Sequence, residues 1–134
     1  MDMNSEERSV TIRIKEPDGN EPVLILPGKL LRIGNSWNVR YGQNGALYTI
    51  GISDGIVSVS REGEEEYAII LQEGKEHPFG ISTPYGSIEM RVVPERVFIE
   101  ERETGLKLEL EYFIVGSGKA SDKFCLFLDC EYDD

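Results

Sequence analysis

Two glycine turns constrain how this chain can fold, because each one sets the pairing of the strands on both of its sides. Asn44-Gly45 and Asp54-Gly55 are flanked by alternating apolar residues, and such dipeptides favour two-residue type I′ turns. Both turns predict the same inward face, and a slip of one residue would move every side chain to the opposite face. The predicted cross-strand rows are Trp37–Ile52–Val57, Val39–Ile50–Val59 and Tyr41–Tyr48–Arg61. One face of this ladder is therefore buried, and the other is mostly polar.

The rest of the chain reads as further strands joined by short turns. Val23–Leu26 predicts a short strand between two prolines, a turn centred on Pro94-Glu95 would start a new strand, and a Thr104-Gly105 turn would pair Ile99 with Leu110. No segment repeats apolar residues with the helical period, so we expect almost no helix. About eight to ten strands in a meander must hide their edges. This predicts an all-β fold, an antiparallel up-and-down barrel in preference to a Greek-key sandwich.

Length and composition place the chain among ordinary globular proteins. It has 134 residues, of which 40% are hydrophobic and 29% are charged. This predicts a single β-barrel domain over residues 1–134. No apolar run reaches the ~18–20 residues of a membrane span, and the polar, acidic stretch Met1–Arg8 is unlike a signal peptide. We expect residence in the cytoplasm.

The formal net charge of −11 excludes two classes of partner. Nucleic-acid binding needs a basic stripe that displaces counterions from phosphate, and no such stripe is present. The same charge opposes binding to an anionic membrane. Solubility explains the charge most simply, and an acidic face that docks a basic partner is the alternative.

No residue pattern predicts catalysis, a cofactor or a metal. Cys125 and Cys130 would lie on opposite faces of one strand, ~16 Å apart, which is too far for a disulfide and fits a reducing compartment. His77 is the only histidine, has no neighbouring metal-ligand set and is expected in a loop that faces water. Motifs for nucleophiles, phosphate loops and dinucleotides are missing. We therefore expect a protein that is not an enzyme, with no catalytic residue, no cofactor and no metal site.

Arg61 is the most informative polar residue. It shares a face with Tyr48 and Tyr41, one position beyond the apolar rows, and so should lie at a barrel mouth. There it could bind a carboxylate or phosphate, with the two phenols as donors and Trp37 among the apolar rows that hold a hydrophobic tail. The alternative is a structural role, in which Arg61 stacks on Tyr48 and pairs with an acid such as Glu101.

Several stretches resemble the YwiB-like family of uncharacterised bacterial proteins. The matching features are the run from Trp37 to Gly63, the turn at Thr83–Gly86 and the run from Thr104 to Tyr112, in which a strand extends from the glycine to Tyr112. The resemblance covers about nine-tenths of the chain. It implies a small calycin-like (lipocalin-like) antiparallel barrel with no established activity, and it supplies no catalytic residues.

Two functional hypotheses follow. In the first, the barrel binds a small amphipathic or anionic ligand of unknown identity at its mouth near Arg61. In the second, the barrel core is solid, and the protein interacts with another protein or with a second copy of itself as a homodimer. An interior pocket of at least ~300 Å³ that opens beside Arg61 would favour the first, and an interior filled by its own side chains would favour the second.

Overall fold

The computed structural model describes residues 5–16, 21–116 and 119–133, with the side chains of residues 5 and 119–122 left undescribed. These residues form ten strands joined mostly by short turns. The strands are β1 Ser5–Lys15, β2 Pro22–Ile33, β3 Ser36–Gln43, β4 Ala46–Ser53, β5 Ile56–Glu62, β6 Tyr67–Leu71, β7 His77–Thr83, β8 Gly86–Arg102, β9 Gly105–Gly116 and β10 Lys119–Tyr132. No helix occurs in these ranges. The described residues therefore contain no helix that is long and apolar enough to cross a bilayer.

All ten strands belong to one antiparallel sheet. Each strand pairs with its neighbours in the chain, except that β1 also pairs with β10, and β6 and β7 stand at the two ends of the strand order. These ends meet at an isolated bridge, where Glu66 and Ser82 exchange two backbone hydrogen bonds of 2.8 Å. The sheet thus curls into a nearly closed barrel. The prediction of an all-β, antiparallel up-and-down barrel is confirmed.

The register predicted from the two glycine turns is confirmed. Asn44 and Gly45 have φ angles of 52° and 77°, and Asp54 and Gly55 have φ angles of 54° and 78°, as a type I′ turn requires. The structure contains all three predicted rows. Strand β6 extends the rows by pairing Leu71 with Val57, Ile69 with Val59 and Tyr67 with Arg61.

The inward faces of the strands meet in an apolar interior. Val39 and Ile50 are completely buried, and Val59 is almost so. Leu108 and Leu110 approach this middle layer from β9 and are also fully buried. Aliphatic burial of this extent is the main stabilising contribution to such a fold.

The predicted turn at Pro94-Glu95 is wrong, since β8 runs without a break from Gly86 to Arg102. A register shift between Pro94 and Arg96 shows that the strand forms a bulge there, a structure that accommodates a residue without a backbone N–H. The next turn pairs Arg102 with Gly105, and Ile99 consequently lies opposite Leu108 instead of Leu110.

The boundary expected at Pro27 is also wrong, because β2 continues through this proline. On one side Pro27 lies opposite Thr11 of β1, and on the other side the pairs with β3 begin only at Gly28. Proline is tolerated in a strand where no neighbour needs its N–H. His77, expected in a loop, is the half-buried first residue of β7.

Candidate ligand-binding site

Arg61 lies near the end of β5, directly opposite Tyr48 on β4 and Tyr67 on β6. Its Nε donates a hydrogen bond of 3.2 Å to the Tyr48 hydroxyl, and its guanidinium carbon lies 5.9 Å from the centre of the Tyr48 ring. A terminal nitrogen donates to the backbone carbonyl of Glu65. The hydrogen bond with Tyr48 raises the pKa of Arg61 above its usual value. Arg61 is therefore a fixed, half-buried positive charge at one end of the barrel.

Arg61 forms no ion pair with a described residue, although the carboxylate of the neighbouring Glu65 also raises its pKa. Among the described residues, cations on the outer wall form ion pairs in Arg13–Glu131, Lys15–Asp129, Arg96–Glu109 and Lys123–Glu111. Lys29, Arg32 and Arg40 resemble Arg61 in forming none. The expected structural partner of Arg61, Glu101, instead accepts a hydrogen bond from Trp37.

Four phenols surround the Arg61 end of the interior. The rings of Tyr41 and Tyr48 stack with centroids 5.3 Å apart and planes 10° from parallel. Burial raises the pKa of Tyr41, and repulsion from ionised Tyr48 and Tyr67 raises it further. Burial, followed by the charges of Tyr67 and other neighbours, raises the pKa of Tyr112 to about 12. Tyr41 and Tyr112 therefore stay neutral at physiological pH and keep their protons for donation.

We call Arg61, Tyr41, Tyr48, Tyr67 and Tyr112 the tyrosine–arginine cluster. Among the described residues, the hydroxyls of Tyr41, Tyr67 and Tyr112 make no hydrogen bond. Tyr48 accepts from Arg61 and still has its own proton to donate. None of these hydroxyls is sealed in the interior without a partner. The cluster is therefore a positive charge surrounded by accessible O–H donors, which is the chemistry that binds an oxyanion.

Apolar side chains lie next to these donors. Phe124 stacks on Tyr112 with centroids 5.8 Å apart and remains 43% exposed. On β2, Gly28 pairs with Tyr41. The next residue that faces inward on this strand is Leu26, which is half-buried. This barrel end consequently offers both hydrogen-bond donors and an apolar contact surface.

Trp37 lies at the opposite end of the barrel, four positions before Tyr41 on β3, a separation of ~13 Å along a strand. Its indole nitrogen donates a 2.8 Å hydrogen bond to Glu101, and Arg32 lies 5.2 Å from its ring centre. A cleft of about 450 Å³ opens there, lined by Asn35, Trp37, Ile52, Asp54, Gly55, Glu73, Val97, Ile99 and Glu101. Of the four residues predicted as one site, the structure brings together Arg61, Tyr48 and Tyr41 and separates Trp37 from them.

Two further clefts lie away from the cluster. One of about 660 Å³ involves β7, β8 and the end of β9, around Phe79 and Met90. Another of about 470 Å³ includes outward-facing residues of β3–β6, among them Ser58 and Ile70. None of these three clefts, all lined by described residues, includes Arg61. The interior pocket beside Arg61 that would have favoured ligand binding is therefore not among these three clefts.

The sequence analysis missed Tyr67 and Tyr112 as members of the cluster. Tyr67 joins it because β6 pairs with β5, but no Asn-Gly or Asp-Gly dipeptide fixes that register in the sequence. The turn predicted at Thr104-Gly105 would place Tyr112 opposite Val97, whereas the observed turn pairs Arg102 with Gly105 and places Tyr112 opposite Pro94. A search for tyrosines at the strand ends next to Arg61 would have found Tyr67.

The fold and the site define a class of protein: a small antiparallel barrel with a basic, phenol-rich end. A family described as a domain of unknown function (DUF1934) matches residues 6–128. The chain belongs to this family.

One solved structure supports this assignment at the level of the fold. The chain is similar to the crystal structure of the ywiB protein from Bacillus subtilis, with 17% sequence identity and a TM-score of 0.73 over 96% of this chain and 94% of that chain. The resemblance to the YwiB-like family inferred from sequence is confirmed. No curated protein matches the chain.

Proposed function

We propose that this protein binds a small amphipathic anion, with the anionic group at the tyrosine–arginine cluster and the apolar part against Phe124 and Leu26. The observation that carries the proposal is the guanidinium of Arg61, which forms no ion pair with a described residue, next to the tyrosine hydroxyls that have no described partner. An anionic ligand would form charge-assisted hydrogen bonds with this guanidinium and accept hydrogen bonds from the phenols.

The residues of the tyrosine–arginine cluster have different roles in the proposed binding. Arg61 supplies the charge, while Tyr48 holds its guanidinium in one orientation through a hydrogen bond and a ring contact. Tyr41, Tyr67 and Tyr112 supply neutral O–H donors that can reach the remaining oxygens of a carboxylate or phosphate. Small up-and-down barrels of the lipocalin type can hold one small ligand, so the fold is compatible with this proposal.

The test is calorimetric titration of the purified protein with decanoate, an amphipathic carboxylate. Arg61→Ala removes a charge-assisted hydrogen bond of ~1.5–3 kcal/mol, so we expect the affinity to fall about 10- to 100-fold. Arg32→Ala is the matched control, because Arg32 contacts an aromatic ring at the other barrel end. This control should bind decanoate like the wild type.

Three results bear on the proposal. Loss of binding in Arg61→Ala with an unchanged urea midpoint supports it. Failure of the wild type to bind both decanoate and dodecyl phosphate contradicts it, as does an equal loss in Arg32→Ala. If Arg61→Ala unfolds, Arg61→Lys keeps the charge but loses the fixed donor geometry, and it should bind measurably more weakly than the wild type.

A second candidate function is a protein-interaction module that self-associates as a homodimer. What favours it is the interior of the barrel, where Val39, Ile50, Leu108 and Leu110 are completely buried in one apolar cluster. Sedimentation equilibrium distinguishes the two functions. A stable dimer that ignores decanoate supports this candidate, and a monomer contradicts it.

We also propose that the protein resides in the cytoplasm. Both cysteines are free thiols, with Cys125 exposed and Cys130 buried, and unpaired thiols are typical of a reducing compartment. Fractionation of the source cells, followed by immunoblotting, tests this. Recovery outside the cytoplasmic fraction would contradict it.

A further inference from the structure

The first half of β2 is a free edge of the sheet. Strand β1 pairs with β2 along its length, but β3 pairs with it only over Gly28–Ile33 in the described part of the chain. The segment Pro22–Pro27, which we call the β2 arm, therefore has a paired strand on one side only. Backbone groups along such an edge can hydrogen bond to an extended chain, which adds to the sheet as a new strand.

The β2 arm has a proline at each end and a register shift next to Pro22, but it has no charged side chain to protect its edge from association. Natural edges are often blunted by charged side chains, but no charged residue lies between Pro22 and Pro27. The outward side chains Val23 and Ile25 are instead 55% and 60% exposed. The two prolines lack N–H donors and so limit a docked strand to about four residues. An apolar edge of defined length is thus open to a partner.

Two cations follow the arm on the same outer surface. Lys29 and Arg40 lie directly opposite each other on β2 and β3, a like-charge arrangement that destabilises a sheet. Lys29 donates to the Ser9 hydroxyl at 2.9 Å, and Arg40 makes no polar contact with a described residue. Glu7 is on the neighbouring strand opposite Leu31, yet it forms no ion pair with either cation.

Ion pairs are frequent but not general among the described basic side chains, since Arg32 and Arg61, like Lys29 and Arg40, form none. Along β1 and β8–β10, basic side chains meet acids in the pairs Arg13–Glu131, Lys15–Asp129, Arg96–Glu109 and Arg102–Glu100. With acids in excess, an unpaired acid carries little information. Lys29 and Arg40 are adjacent, form no ion pair and lie beside an apolar edge, which indicates that a partner docking there carries a negative charge.

We propose that the β2 arm receives an extended segment of a different protein by strand addition. The segment presents apolar side chains to Val23 and Ile25, and an acidic residue at its end meets Lys29 and Arg40. This interaction does not depend on the proposed ligand, because its side-chain contacts lie on the outer surface of the barrel. Charge complementarity argues against a second copy as the occupant, since each copy carries a net charge of −11.

The test is fluorescence anisotropy with a labelled peptide of alternating valine and threonine that ends in two glutamates. Two control peptides carry lysines in place of the glutamates or a proline at the centre, and neither should bind. In the protein, Ile25→Lys and the double variant Lys29→Glu/Arg40→Glu should each weaken binding at least tenfold. Ile70→Lys is the matched control, because Ile70 is an exposed isoleucine (41%) on a different strand, and it should bind like the wild type.

Urea denaturation first shows that each variant folds, with Val23→Lys as the substitute if Ile25→Lys does not. The proposal is overturned if the wild type does not bind the acidic peptide, or if the lysine peptide binds equally well. It is also overturned if Ile70→Lys loses as much affinity as Ile25→Lys. A dimer of the free protein that Ile25→Lys dissociates would assign the edge to a second copy and overturn it as well.

Discussion

The two ends of the barrel interior use similar residues and differ in what those residues bind. At one end, the donor of Trp37 meets Glu101, and Arg32 lies against the indole ring. At the other end, Arg61 forms no ion pair with a described residue, and the hydroxyls of three tyrosines have no partner among those residues. At the Trp37 end the indole donor has an acceptor, whereas at the Arg61 end three hydroxyl donors have no described acceptor. The difference indicates that a ligand is to be sought at the tyrosine end.

The largest expected effect comes from the layer that both ends share. Ile50 is completely buried between Val39 and Val59. Replacing it with alanine should lower the free energy of unfolding by about 2–5 kcal/mol, because it removes buried methyl groups and leaves a cavity. Urea denaturation measures this, with Thr49→Ala on the outward side of the same strand as the control. An Ile50→Ala variant as stable as Thr49→Ala would show that the two ends do not rest on a common core.

At high pH we expect a loss of about 2–3 kcal/mol from Tyr112, a phenol of the tyrosine end. The pKa of Tyr112 rises from 10.0 to about 12 in the folded protein, and each unit corresponds to ~1.36 kcal/mol. Below pH ~10 this stabilisation is fully present. As the pH rises from ~10 to ~12, the unfolded chain releases the proton before the folded chain does, so stability falls.

The measurement is urea denaturation across this alkaline range. Tyr112→Phe should lose less stability than the wild type as the pH rises. Tyr85→Phe is the control, because Tyr85 is 99% exposed, and its curve should follow that of the wild type. Identical curves for all three proteins would contradict the burial of the Tyr112 hydroxyl among other phenols.

Two substitutions with smaller expected effects on the free energy of unfolding compare the donors at the two ends directly. Trp37→Phe leaves Glu101 without its donor and should cost about 1–2 kcal/mol. Tyr41→Phe removes a hydroxyl that has no described partner, so the change should stay within ~0.5 kcal/mol. Thermal and urea unfolding measure both. A larger loss in Tyr41→Phe than in Trp37→Phe would reverse the comparison between the ends.

The sequence predicts the register wherever a turn has strict conformational requirements. Asn44-Gly45 and Asp54-Gly55 set three strands, and with them the neighbours Tyr41, Tyr48 and Arg61. It fails at Pro94, because a proline is compatible with either a turn or a bulge, and only long-range pairing with β9 decides between them. The sequence also cannot show which donors remain unpaired, since the partner of Glu101 is a tryptophan 64 positions away.

The most direct test of the central claim observes both ends in one experiment. Carbon-13 labels at the hydroxyl-bearing ring carbon of tyrosine, with nitrogen-15 in the indole of Trp37, allow NMR to follow a titration with decanoate. The account predicts that the signals of Tyr41, Tyr48, Tyr67 and Tyr112 shift together and saturate, while the Trp37 indole signal does not move. A shift confined to the Trp37 indole, or no change in these four tyrosines at saturating decanoate, would contradict it.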